Sequence, residues 1–177
     1  MKLEIVKYGD EALRMESTPV AEVTEDIRKL AADMLETMYA AQGVGLAAEQ
    51  VGRTERICVI DVPRDAEKPE WAEFNAAIPM PLVLVNPEIT EIEGVQRDDE
   101  GCLSFPGIYA KISRGEKVAF SYTDLEGRRH SATAGGLLAR AVQHETDHLF
   151  GITMIDKMSQ LQRMSVSGKL RRLRDRA

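Results

Sequence analysis

The sequence predicts an α+β domain in which short strands surround one buried helix. Three observations lead there. Residues 136–150 carry apolar side chains at helical spacing around His144 and His148, several short segments are β-branched and bounded by turn residues, and no repeat or linker divides the chain. With 177 residues, 44% hydrophobic and 29% charged, the chain is long enough to bury one real core.

In order along the chain, Thr24 reads as an N-cap, and Glu25 and Asp26 suit the positive end of a helix dipole. Ile27, Leu30, Ala31, Met34, Met38 and Ala41 then recur at helical spacing, and Gly43 is the expected stop. Residues 56–62 are short and β-branched, which predicts a buried strand. Residues 63–81, rich in Pro, Ala and charge, predict a surface excursion with Trp71 and Phe74 as anchors. Residues 82–86 form another strand candidate, expected to end at Pro87. Residues 118–123 and 129–133 are expected to pair as a hairpin around Asp124-Leu125-Glu126-Gly127. The central helix is expected over residues 136–150, stopped at Gly151, with Leu137 and Ala141 on the inner face beside His144 and His148.

Within that helix, Gln143-His144-Glu145-Thr146-Asp147-His148-Leu149 is the most informative run. Histidines four residues apart lie on one face and can meet one metal ion, while Glu145 is rotated aside, placed as a general base for metal-activated water. Zinc peptidases with this motif draw a third ligand from downstream, but no Glu follows Glu145 and Met154 stands where a third His would be. The third ligand is therefore expected upstream. Cys58, in an apolar strand, reads as core, and His130, beside Arg128 and Arg129, reads as solvent-facing. Cys102, in the bent segment 100–107, is either a ligand or a buried loop thiol. A Cys/His/His set leaves a fourth position open, as catalytic sites do.

Two cysteines allow at most one disulfide, and metal binding or burial is the better expectation. The opening Met1-Lys2-Leu3-Glu4 carries charges with no apolar run after it, and no stretch approaches the length of a membrane span, so a cytoplasmic protein is expected. Net charge is −6, unevenly spread: residues 157–177 hold seven Lys and Arg against Asp175, so this tail carries +6 and residues 1–156 carry −12. The tail reads either as a solvated terminal helix or as a nucleic-acid contact, and Ser167-Gly168 interrupts it.

Three segments together resemble one family. Residues 43–50, Gly-Val-Gly-Leu-Ala-Ala-Glu-Gln, are similar to the GxGxAAxQ motif of peptide deformylases, residues 100–104 match their EGCLS, and residues 143–149 match their QHExDHL, in the same order. The resemblance covers the chain to about residue 155. It implies an α+β fold of antiparallel sheets around the HExxH helix, and hydrolytic removal of the N-formyl group from the formyl-methionine of new proteins, with release of formate. It also implies one divalent ion on Cys102, His144 and His148, ferrous iron being the usual native metal and zinc, nickel or cobalt able to replace it.

By the same resemblance, metal-bound hydroxide attacks the formyl carbon with Glu145 as general base and then acid. The Gln50 amide and the Leu103 backbone N–H face the developing oxyanion. Gly43 and Gly45 let an extended peptide approach as an added strand, and Val44, Leu103, Ala141 and the His144 region form an apolar pocket for the methionine side chain. Glu100 and Arg114 are either an ion pair bracing the Cys102 loop or solvated charges, and Asp147 either orients the metal helix or is likewise solvated. Glu49 stands where many relatives carry a smaller or neutral residue, and is expected to alter only the charge near the peptide entrance.

Residues 1–156 are thus expected to be one catalytic domain and 157–177 a basic helical or flexible extension, able to contact ribosomal RNA as a hypothesis. Competing readings are a zinc amidase of other specificity and an RNA- or ribosome-binding module with a structural metal. Glu145 and the missing fourth soft ligand argue against the latter. The oligomeric state stays open.

Overall fold

The computed structural model describes residues 1–176. Helix α1 spans Glu25–Ala40. The Thr24 hydroxyl accepts the Ile27 N–H at 3.4 Å, and Ile27, Leu30, Ala31, Met34 and Met38 are buried along one face. Its end differs from expectation. Gln42, not Gly43, takes the left-handed conformation at φ 58°, and the Gly43 N–H closes back on the Met38 carbonyl.

Strands β1 (Gly45–Ala47), β2 (Ile57–Ile60), β3 (Leu82–Glu93), β6 (Lys117–Thr123) and β7 (Arg129–Gly135) form one antiparallel sheet in the order β1-β2-β3-β6-β7. Strands β4 (Gln96–Glu100) and β5 (Ala110–Arg114) form a separate antiparallel pair. Because side chains alternate along a strand, Ile57 and Val59 of β2 face α1 with Met34, Met38 and Val85. Cys58 and Ile60 face the opposite way, toward the central helix α3 (Gly136–His148), where Leu84, Phe120, Leu138 and Val142 join them. The sheet is thus covered on both faces. A third cluster, including Phe105, Ile108, Ile112 and Met154, supports the loop that carries Cys102.

Strand β3 does not stop at Pro87. The pairing with β6 jumps from Val85↔Thr123 to Glu88↔Ser121, so Asn86 and Pro87 occupy a bulge with Asn86 at φ 49°. A proline there removes no ladder hydrogen bond, and the strand continues. Strand β4 carries no sequence signal: Gln-Arg-Asp-Asp-Glu has no apolar alternation. The 63–81 excursion folds locally as helix α2 (Pro69–Phe74), opened by its proline. Trp71 is its anchor, seated against Gly135 and Gly136, whereas Phe74 stays 43% exposed and touches the Trp71 ring edge-on. The hairpin turn is as expected, with Gly127 at φ 83°.

After α3, a short 3-10 turn over Met154–Lys157 leads into α4 (Gln160–Ser165) and α5 (Ser167–Arg176). Val166, Leu170 and Leu173 pack back on the third cluster, while Lys169, Arg171, Arg172, Arg174 and Arg176 face solvent. Among the described residues, no helix is long and apolar enough to cross a membrane.

Candidate metal centre and peptide cleft

His144 and His148 lie one turn apart on α3, both buried, with their Nε2 atoms 3.2 Å apart. Cys102 comes from the turn after β4, and its Sγ is 3.4 Å from His148 Nε2. One ligand atom from each of the three residues falls within 4.8 Å of the others. Two imidazole nitrogens and a cysteine sulfur, binding as thiolate, suit a soft-to-borderline divalent ion. Three protein donors also leave coordination positions open. The donor set therefore fits a catalytic rather than a structural ion.

The His144 ring is oriented from behind. Its Nδ1 stands 2.7 Å from Glu100 Oε2, which directs Nε2 to the centre. Glu100 also accepts from Arg114 at 3.0 and 2.7 Å and from Arg140 at 3.0 Å. Burial alone would raise the Glu100 pKa, but the hydrogen bonds from His144 and Arg114 hold it well below the ordinary carboxylate range. Arg114 reaches on to Asp147, so the pair expected between Glu100 and Arg114 extends to the metal helix.

Glu145 is 3% exposed, and its Oε1 stands 3.6 Å from His144 Nε2. Its Oε2 has no protein partner among the described residues. Burial lifts this carboxyl to about 7, and a cation held beside it pulls the other way. Gln50 sits on the buried 3-10 turn Ala48–Val51. Its Oε1 accepts the Ala47 N–H at 2.9 Å, which leaves Nε2 directed at Cys102 Sγ (3.4 Å) and Ser104 Oγ (3.2 Å). A cleft of about 500 Å³ opens over these groups, lined by Val44, Leu103, Tyr109, Leu137, Arg140 and Ala141 among others. Gly43 and Gly45 form its rim, and β1 is an edge strand, so its outer side is free to pair with an extended chain.

A family profile described as "Polypeptide deformylase" matches residues 2–164. The chain belongs to the polypeptide deformylase family. A peptide deformylase of Alkalilimnicola ehrlichii is 46% identical over 171 residues, covering 97% of this chain and 90% of the relative. One from Neisseria gonorrhoeae is 42% identical over 170 residues, covering 96% and 95%. The crystal structure of peptide deformylase from Thermus thermophilus superposes with a TM-score of 0.86 at 36% identity, covering 100% of both chains. The chain is therefore an enzyme of the deformylase class, which removes the N-formyl group from new chains.

Cys102, His144, His148, Glu145, Gln50, Leu103, Gly43, Val44, Gly45 and Ala141 all meet at or line this one cleft or its floor. Glu49 does not. It is fully buried, with neither carboxylate oxygen hydrogen-bonded among the described residues, and it is not among the residues lining the cleft, where the sequence places its effect. The reason is that the Ala48–Val51 turn is buried through Gln50, carrying Glu49 inward with its neighbours. Cys58 is core as expected, and His130 is a surface residue paired with Asp124. Sequence reasoning misses Arg140, Ser104 and Tyr109. Arg140 alone has a usable signal, standing four residues before His144 on the same helical stripe.

Proposed function

We propose that Cys102, His144 and His148 hold the deformylase's divalent ion, with ferrous iron as the native metal and zinc, nickel or cobalt able to replace it. The ion supplies Lewis acidity, polarising the formyl carbonyl and making water easier to deprotonate. The observation that carries the rest is Glu145: a buried carboxylate with one unpartnered oxygen, placed beside the three converging ligand atoms. In this reading Glu145 takes a proton from the attacking water and returns it to the leaving amine. Gln50 Nε2, already fixed by the Ala47 bond, and the Leu103 N–H face the formyl oxygen as charge develops there. The peptide backbone adds to the edge of β1 past Gly43 and Gly45, and its methionine side chain enters the cleft between Val44, Leu103, Ala141 and His144.

Residues 1–156 form the catalytic unit in this proposal, working in the cytoplasm, and 157–177 are an extension. The exposed Lys169, Arg171, Arg172, Arg174 and Arg176 on α5 support contact with ribosomal RNA. Deleting residues 157–177 should then abolish salt-sensitive ribosome binding, and unchanged binding rejects that contact.

The deciding experiment is formate release from formyl-Met-Ala-Ser by anaerobically prepared, iron-loaded protein beside a Glu145→Ala variant. Rapid release by the parent and a loss of on the order of 10²–10⁴ in the variant, with metal retained, is the expected result. Equal cleavage of acetyl-Met peptides would point to a broader amidase instead.

A further inference from the structure

The helix that carries both histidines and Glu145 has no cap of its own. Its N-cap is Gly135, without a side chain, and Gly136 follows at φ 62°. The first backbone N–H groups of a helix need acceptors from elsewhere. Here two acceptors come from the 63–81 segment: Glu67 Oε1 accepts the Leu137 N–H at 2.5 Å, and Asn75 Oδ1 accepts the Gly135 N–H at 2.9 Å. Asn75 Nδ2 in turn donates to the Gly135 carbonyl at 3.0 Å and to Glu67 Oε2 at 2.6 Å, tying the two acceptors together. Trp71 closes the arrangement from outside. A Cβ on Gly136 would come within 2.6 Å of its ring, and one on Gly135 would collide with it as well, so the ring lies directly on the helix start.

What this clamp grips is the pocket end of α3. Leu137, whose N–H is bound by Glu67, lines the cleft, as do Arg140 and Ala141 one turn further on. His144 lies two turns away, oriented by Glu100 rather than by the clamp, and His148 lies one turn beyond it. We propose that Glu67, Asn75 and Trp71 form a positioning clamp that sets the methionine-pocket wall, and thereby substrate affinity, without touching substrate or metal. The inference rests on the reading of the cleft as the pocket for the first side chain. A carboxylate at this end of the helix also meets the dipole favourably.

The clamp carries its own reporter, since Trp71 is the one tryptophan of the chain. Glu67→Ala should red-shift its emission and raise KM for a formyl-Met peptide about five- to tenfold, the equivalent of losing one helix cap. Metal content and kcat should hold within about twofold, because the metal end is anchored separately. Glu67→Gln keeps an acceptor for Leu137 but turns an amide donor toward Asn75, so it should raise KM by a smaller factor, and it serves if the alanine variant fails to fold. A red-shifted emission with unchanged KM overturns the proposal, as does a parallel fall of kcat and metal content at constant KM. A parent enzyme with no preference for formyl-Met over formyl-Ala peptides rejects instead the pocket reading on which the clamp depends.

Discussion

Glu100 Oε2 lies 2.7 Å from His144 Nδ1, and the same carboxylate is gripped by Arg114 and Arg140, all with side chains at most 8% exposed. The imidazole is thus oriented by a carboxylate that is itself immobilised from two further directions. The arrangement links β4, β5 and α3, the three elements that must agree for Cys102 and the histidines to converge.

Replacing Glu100 by alanine should lower metal affinity on the order of 10–100-fold. The loss has two sources: His144 is freed to rotate, and two buried guanidinium groups lose their shared partner. Competition with a chelator of known affinity measures it. Glu100→Gln, which keeps an acceptor for Nδ1, should recover part of the affinity. An unchanged affinity in the alanine variant would show that the histidine needs no such support.

Glu49 predicts a pH dependence of stability. Burial pushes its carboxyl up to about 8, with Glu145 and Glu55 adding to the rise and Arg56 opposing it. The folded chain therefore holds a proton that the unfolded chain releases near the ordinary carboxylate pKa of about 4.3. Its contribution is fully present below that value and is lost as pH rises through about 8. Glu49→Gln, neutral throughout, should gain on the order of 4 kcal/mol relative to the parent between about pH 5 and pH 8. Urea melts of both proteins across that range test it, and parallel curves would refute a buried neutral acid.

Gln50 offers a sharper probe of the oxyanion donors than truncation does. Its Oε1 is committed to the Ala47 N–H, so the amide orientation is fixed and Nε2 must face the site. Gln50→Glu keeps the acceptor and the shape but replaces the donor by a second acceptor. A loss in kcat on the order of 10²–10³ is expected, with metal content unchanged. Steady-state formate release would expose the opposite result, in which shape alone is sufficient.

The parts of this fold that are legible in the sequence are those whose signal is local. Thr24 and the apolar stripe of α1, the β-branched run of β2, the hairpin at Gly127 and the HExxH helix each declare themselves within a few residues. The candidate ligands are equally visible because motif chemistry and residue type coincide there. What is not legible depends on partners distant in sequence. Strand β4 is polar because one ladder neighbour and the Glu100 cage hold it, not an apolar face. Pro87 looks like a strand end because only the pairing with β6 reveals a bulge. Glu67 reads as loop charge until it is placed 70 positions away at Leu137. Glu49 looks exposed by residue type, and only the burial of its whole turn shows otherwise.

Gly45 is the position where the smallest change should reach the chemistry directly. A Cβ built there would lie 2.9 Å from both Cγ and Cδ of Glu145, closer than side-chain carbons pack, and the carboxylate would have to move. At Gly43 the nearest atoms belong to the Leu103 side chain, with Cδ1 at 2.6 Å, which can turn away. Gly45→Ala should therefore reduce kcat, by about 10–100-fold for a displaced base, with metal content and melting temperature close to the parent. Gly43→Ala should act mainly on KM, because Leu103 lines the cleft that receives the peptide. Measured together, the two variants separate the roles of the rim glycines. If Gly45→Ala instead raised KM and spared kcat, Glu145 would have room to retreat and return, and its placement over β1 would not be what orients the base.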